Sequence, residues 1–146
     1  MRIRTALTVS LGAVVAVGAL SPASAAPKPI TKTYTASATP DPSPAATPAG
    51  GKVCQPVTPS ARFTEPFKVP AAGTLAITIK MTGDWALGLR TKSGSTLASS
   101  DGAMPQDAES IQTKFKKPTE VLIDSCNFTG APTAEVTYTF TYATTK

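Results

Sequence analysis

Between Gly73 and Thr82 the chain alternates strictly: Leu75, Ile77, Ile79 and Met81 are apolar, while Thr74, Ala76, Thr78 and Lys80 are small or polar. A repeat of two sends successive side chains to opposite faces, so this stretch is a β-strand with one buried and one wet side. Trp85, Leu87 and Leu89 continue the alternation beyond a Gly83-Asp84 turn. Val136, Tyr138, Phe140 and Tyr142 repeat it, with Thr137, Thr139 and Thr141 between them. Val121-Leu122-Ile123 is a more continuously apolar run, and Leu97 and Ile111 mark two shorter strands. Phe63, Phe67 and Val69 suggest a further strand broken by Pro66, whose missing N–H confines it to an edge or a bulge. Turn residues separate these runs at Pro70-Ala71-Ala72-Gly73, Ser93-Gly94-Ser95, Lys117-Pro118 and Gly130-Ala131-Pro132. Beyond the N-terminal apolar run no stretch carries a sustained 3.6-residue stripe. The expected fold is therefore all-β, an antiparallel jelly-roll-like sandwich of about seven or eight strands over residues 52–146.

The N-terminus reads as an address. Met1-Arg2-Ile3-Arg4 is basic, Ala6 to Leu20 is nearly all apolar, and Ala23-Ser24-Ala25 fits the small-x-small rule for signal-peptide cleavage. The apolar run falls short of the ~20 residues that span a bilayer. Residues 1–25 are thus expected to be a cleaved signal peptide, and the mature chain to be secreted without stable membrane insertion. Residues 26–51 hold 6 of the chain's 14 prolines, with 6 Ala and 5 Thr. That composition predicts a disordered Pro/Thr/Ala-rich linker, either a flexible tail or a stalk that accepts sugars.

The sequence has 14 Lys and Arg against 9 Asp and Glu, a net charge of +5, and no histidine. Loss of Arg2 and Arg4 leaves 12 basic against 9 acidic residues. Such a spread surplus lacks the concentrated basic stripe that nucleic acid requires. Without histidine, Ser-His-Asp and Cys-His catalysis and imidazole metal sites are excluded. Ser-Lys catalysis would need a Lys held against a Ser in a dry cleft, and no motif selects such a pair. The two cysteines, Cys54 and Cys126, are 72 residues apart and best fit one disulfide in an exported chain, worth roughly 4 kcal/mol by loop entropy. A reactive thiol pair is the alternative, without a C-x-x-C spacing or a neighbouring base to support it. If Val121, Ile123 and Ser125 face inward, Cys126 faces outward and the bridge fastens the entering segment to the rim or outer face of a sheet.

Phe67-Lys68-Val69-Pro70-Ala71-Ala72-Gly73-Thr74-Leu75, then Gly83-Asp84-Trp85-Ala86-Leu87-Gly88-Leu89, Ser99-Ser100, Glu109-Ser110-Ile111 and Leu122-Ile123-Asp124-Ser125-Cys126-Asn127 follow a recognisable order. The stretch Phe67 to Tyr142 resembles the bacterial pre-peptidase C-terminal domain, a small jelly-roll-like sandwich appended to secreted peptidases. The resemblance implies a non-catalytic accessory module. It also points to an acidic motif whose second acidic position is Ala86 here, which removes a ligand from any paired-carboxylate calcium site. Asp84 is expected to cap the Gly83 turn, and Asp101, Asp107 and Glu109 to be solvated acids rather than a loop metal site.

The remaining candidates have plain readings too. Trp85 and the tyrosines could stack sugars, but Trp85 is in phase with Leu87 and Leu89 and so belongs to the core. Lys114, Lys116 and Lys117 could touch anionic wall polymers, although edge-strand lysines also block strand-to-strand aggregation. Asn127-Phe128-Thr129 matches the N-glycosylation pattern. The expectation is a monomeric, secreted module without catalytic, cofactor or metal residues, binding an unidentified macromolecule or cell-surface polymer. A purely structural envelope role and a small hydrolase are the alternatives.

Overall fold

The computed structural model describes residues 27–41, 54, 58–101 and 107–144. Within them lie eight strands: β1 (Ile30–Ser37), β2 (Arg62–Val69), β3 (Gly73–Lys80), β4 (Gly83–Thr91), β5 (Thr96–Ser100), β6 (Ala108–Phe115), β7 (Thr119–Gly130) and β8 (Thr133–Tyr142). A short 3-10 turn, Pro59–Ala61, leads into β2. No helix among the described residues is long and apolar enough to cross a membrane.

The strands divide into a front sheet in the order β1-β8-β3-β6 and a back sheet in the order β2-β7-β4-β5. The antiparallel partners are nested: β1 with β8, β2 with β7, β3 with β6, and β4 with β5. It is as if one long hairpin had been folded over into two layers. The pairs β3–β8 and β4–β7 then join the ribbons within each layer. This is the strand order of a jelly roll, as the sequence leads one to expect.

The period-two pattern explains the core. Leu75, Ile77 and Ile79 of β3 and Val136, Tyr138 and Phe140 of β8 face Trp85, Leu87 and Leu89 of β4 and Val121 and Ile123 of β7. Phe67 of β2 crosses the gap, its ring 4.8 Å from that of Tyr138 and 6.1 Å from that of Phe140. Pro66 lies on β2, an edge strand of the back sheet, where its lack of an N–H costs no ladder bond. Gly83 and Gly130 face each other where β4 meets β7, both at positive φ. A Cβ on either would come within 2.5 Å of the other's Cα, so only glycine fits that approach.

One sequence expectation needs correction. The segment 26–51 is not wholly linker, because β1 lies inside it and pairs along its length with β8, from Ile30↔Phe140 to Ser37↔Thr133. Ile30, Tyr34 and Ala36 pack on the core while Thr31, Thr33, Thr35 and Ser37 face out, the same alternation seen elsewhere. The prolines around it mask this pattern when composition is averaged. The sandwich therefore begins at Ile30 rather than at 52, while residues 1–26 and 42–51, including the expected signal peptide, lie outside the described residues.

A protein beginning at Lys52 should consequently be destabilised. Loss of the buried Ala36 and of the apolar surface of Ile30 and Tyr34 should cost about 3–5 kcal/mol in urea unfolding, relative to a chain beginning at Ala26. Equal midpoints for the two proteins would show that β1 is dispensable.

Candidate functional site

Most side chains singled out in the sequence turn out to be structural. Trp85 is 0% exposed in the core, so it offers no ring to a sugar. Tyr138 is buried and Tyr34 packs against the core, its ring 5.7 Å from Phe63, with burial holding its hydroxyl's pKa well above the ordinary tyrosine range. Asn127 is 0% exposed and its amide donates to the carbonyls of Ala38 and Ala131, at 3.0 and 2.9 Å. It fastens the segment after β1 to the β7–β8 turn, and a glycan cannot be carried there in the folded protein. Lys114 lies on β6, an edge strand of the front sheet, and Lys116 and Lys117 follow in the turn to β7.

Cys54 and Cys126 form the expected disulfide, with Cα atoms 5.3 Å apart. They pack with Ala86 and Phe128 in a small apolar cluster separate from the main core. Val121, Ile123 and Ser125 are buried on the inward side, so the bridge lies on the outer side of β7, as parity predicts. Ala86 is paired with Cys126 and fully buried beside the bridge. Cys54 itself adopts a φ of 69°, a left-handed conformation that a non-glycine residue rarely takes.

The sequence reading missed a second fixture on this back face. Asp124 accepts bonds from Arg90 Nε at 2.5 Å, from Arg90 Nη2 at 3.3 Å and from the Thr64 hydroxyl at 2.6 Å. Its side chain is 3% exposed, and a carboxylate so buried is tolerable only because the two-point guanidinium contact replaces its water. The available signal was parity alone: Arg90 and Asp124 both fall on outward positions, next to the apolar Leu89, Leu122 and Ile123. Asp41 supports the same region, accepting the Thr58 amide at 2.8 Å.

Among the described residues no group of three or more His, Cys, Asp or Glu is placed to hold a metal ion. Glu109, expected as a solvated acid, is instead buried on β6, 3% exposed, and it interacts electrostatically with Asp84 and Asp101. The carboxyls of Asp84 and Asp101 are raised above the usual range, first by burial, then by Glu109 for the former and by Asp84 and Glu109 for the latter. Asp107 has its backbone carbonyl bonded to the amide of Met81, 3.0 Å away.

One open side of the sandwich is closed. Between edge strands β1 and β2, Lys32 and Glu65 form an ion pair of 2.5 Å, and Lys32 also lies over the Tyr34 ring at 5.6 Å. Inward-pointing charge on an edge strand, like Pro66 on β2, discourages addition of another strand.

What remains is the outer face of the front sheet, and here the alternation produces a grid. The register aligns Thr33 with Thr137, Thr137 with Thr78, and Thr78 with Ser110. One step along the strands, Thr31, Thr139, Ala76 and Gln112 form a second row. Two cross-strand hydroxyl pairs fix rotamers, Thr33 to Thr137 at 2.9 Å and Thr31 to Thr139 at 3.1 Å. The Thr35–Glu135–Lys80–Ala108 row borders the grid, with Lys80 and Glu135 4.0 Å apart. The β8 threonines are legible in the sequence as part of a strand, whereas those of β1 are hidden among prolines. No protein-family model matches this chain, and no curated protein matches it.

Two outcomes test this description. Cys126→Ser should lower stability by about 2–4 kcal/mol, because the unfolded chain regains the freedom of the closed loop; an unchanged urea midpoint would count against a stabilising bridge. Because the folded-state pKa values of Asp84 and Asp101 lie above the unfolded ones, the contribution of these two groups to stability is greatest at acid pH and is lost as pH rises through the raised values. Asp101→Asn should therefore raise the melting temperature at pH about 7 and leave it unchanged near pH 3. A lower melting temperature at neutral pH would show that the carboxylate is favourably held.

Proposed function

We propose that this chain is an exported, non-catalytic β-sandwich module that binds a macromolecule or cell-surface polymer through the outer face of its front sheet. The observation that carries the reading is the rotamer-fixed threonine grid, described above, on a face that no described segment covers. The back face is occupied in part by the Cys54–Cys126 bridge and the Arg90–Asp124 pair. The β1 and β2 edges are guarded by Lys32, Glu65 and Pro66. Export is supported by the basic start, the apolar run and the Ala23-Ser24-Ala25 site, and by cysteine usage suited to an oxidising compartment. The likeness of Phe67 to Tyr142 to pre-peptidase C-terminal domains supports the accessory, non-enzymatic part.

The test is retention of the full mature chain on insoluble cell-wall and extracellular-matrix preparations. Thr139→Glu together with Thr78→Glu should abolish retention while leaving the circular dichroism spectrum intact. Lys68→Ala, on the back sheet, should change nothing. Retention unaffected by the two glutamates would remove the face from consideration, and specific turnover of a peptide, ester or glycoside would overturn the non-catalytic reading.

A further inference from the structure

From the grid's chemistry we infer that its partner is a single uncharged glycan chain lying across the four front-sheet strands, an inference that rests on the binding role proposed above. Thr33, Thr137, Thr78 and Ser110 place one hydroxyl on each strand in a line perpendicular to them. Neighbouring strands are about 4.8 Å apart, and successive outward residues on one strand about 6.8 Å apart. The first step matches the length of one pyranose in an extended chain, and the second matches the width of its ring. A glycan in the channel between the two rows would meet hydroxyls on both flanks and threonine methyls beneath its C–H groups.

Charge selects against other polymers. Neither row contains an ionisable side chain, and the bordering Lys80 is balanced by Glu135. The neighbouring row, Thr141, Thr74 and Lys114, adds a single cation at the β6 edge. An anionic chain would leave most of its charges over neutral threonines, losing hydration without gaining partners. A polypeptide adding as a strand satisfies its backbone at a sheet edge rather than on this face, and the β1 and β2 edges are guarded by Lys32, Glu65 and Pro66.

Two further features define the kind of glycan. The core-facing aromatics Tyr34, Tyr138 and Phe140 point away from the grid, so no flat ring stacks on the sugar. Affinity then comes from many small hydroxyl and methyl contacts, and it grows with the number of strands crossed. Strands in a sheet rotate by roughly 20–25° from one to the next. A single chain that can twist follows that rotation, while the flat plane of a crystalline polysaccharide does not. The stiff β-branched side chains, already paired as Thr31–Thr139 and Thr33–Thr137, lose little freedom on binding.

Calorimetric titration of the full mature chain with neutral linear β-glucan and β-mannan di-, tetra- and hexasaccharides tests this, with polygalacturonate as the anionic comparison. Affinity should rise at least about tenfold from di- to tetrasaccharide and then level off, since the row crosses four strands. It should be unchanged between about 0.05 and about 0.5 M salt, because no charge pairing is involved. Thr137→Val and Thr78→Val should each weaken binding roughly fivefold, the loss expected for one hydrogen bond. Circular dichroism and the melting temperature establish that these variants fold. Salt-sensitive binding to polygalacturonate alone would overturn the assignment to an uncharged glycan and leave the binding role standing. Retention on wall material without any oligosaccharide binding would do the same. Absence of both retention and oligosaccharide binding would overturn the two together, and unaltered affinity in Thr137→Val would place any glycan elsewhere.

Discussion

The contact between two apolar sheet faces decides what every other side chain is free to do. Leu75, Ile77, Ile79, Val136 and Phe140 meet Trp85, Leu87, Leu89, Val121 and Ile123 across one interior. Burial of each large side chain is worth about 1.5–3 kcal/mol, and together these contacts offset the entropy of ordering an antiparallel chain with almost no local structure. That demand consumes the largest aromatic, Trp85, and turns Tyr138 inward. The chain's best stacking groups are thus spent on packing. The strict alternation that fills the interior leaves the outer face of the front sheet to small or polar side chains, and threonine, which combines β-branching with a polar tip, suits a strand there.

The two outer faces have different energetic characters. On the back sheet, β7 is buried on both sides near Ser125, Cys126 and Asn127. The disulfide and the Arg90–Asp124–Thr64 contacts are desolvated there, so breaking either partner leaves an expensive remainder. Such a face resists change. The front sheet carries side chains whose hydroxyls already face water and whose positions are fixed by the backbone register. Exchanging water for another hydroxyl-bearing partner on that side requires little reorganisation.

Much of this fold was legible in the sequence because its strongest signal was local. Leu75–Met81 and Val136–Tyr142 announce their strands through period two, and Pro66 announces an edge. Cysteine parity put the bridge on the outside of β7. β1 escaped notice because Ile30, Tyr34 and Ala36 are modest apolar residues set among prolines, and the strand that confirms them is β8, at the far end of the chain. The Arg90–Asp124 pair and the role of Asn127 were illegible for a related reason. Each depends on register between strands distant in sequence, and a polar residue on an apolar strand does not reveal its partner. The threonine grid is intermediate: each strand's threonines can be read singly, but the rows exist only once four strands are aligned.

The nested pairing also ranks the closures the chain must make. Arg90 meets Thr96 across a tight turn, whereas Ile30 meets Phe140 only after most of the sequence has been laid down. Loop entropy makes the inner pair the cheapest to form and the outermost the most expensive until the layers between are in place. The molecule thus resembles a zipper that starts at its middle and finishes at its two ends. Its first and last strands are the final teeth, and the outer face that holds the threonine rows does not exist until they engage.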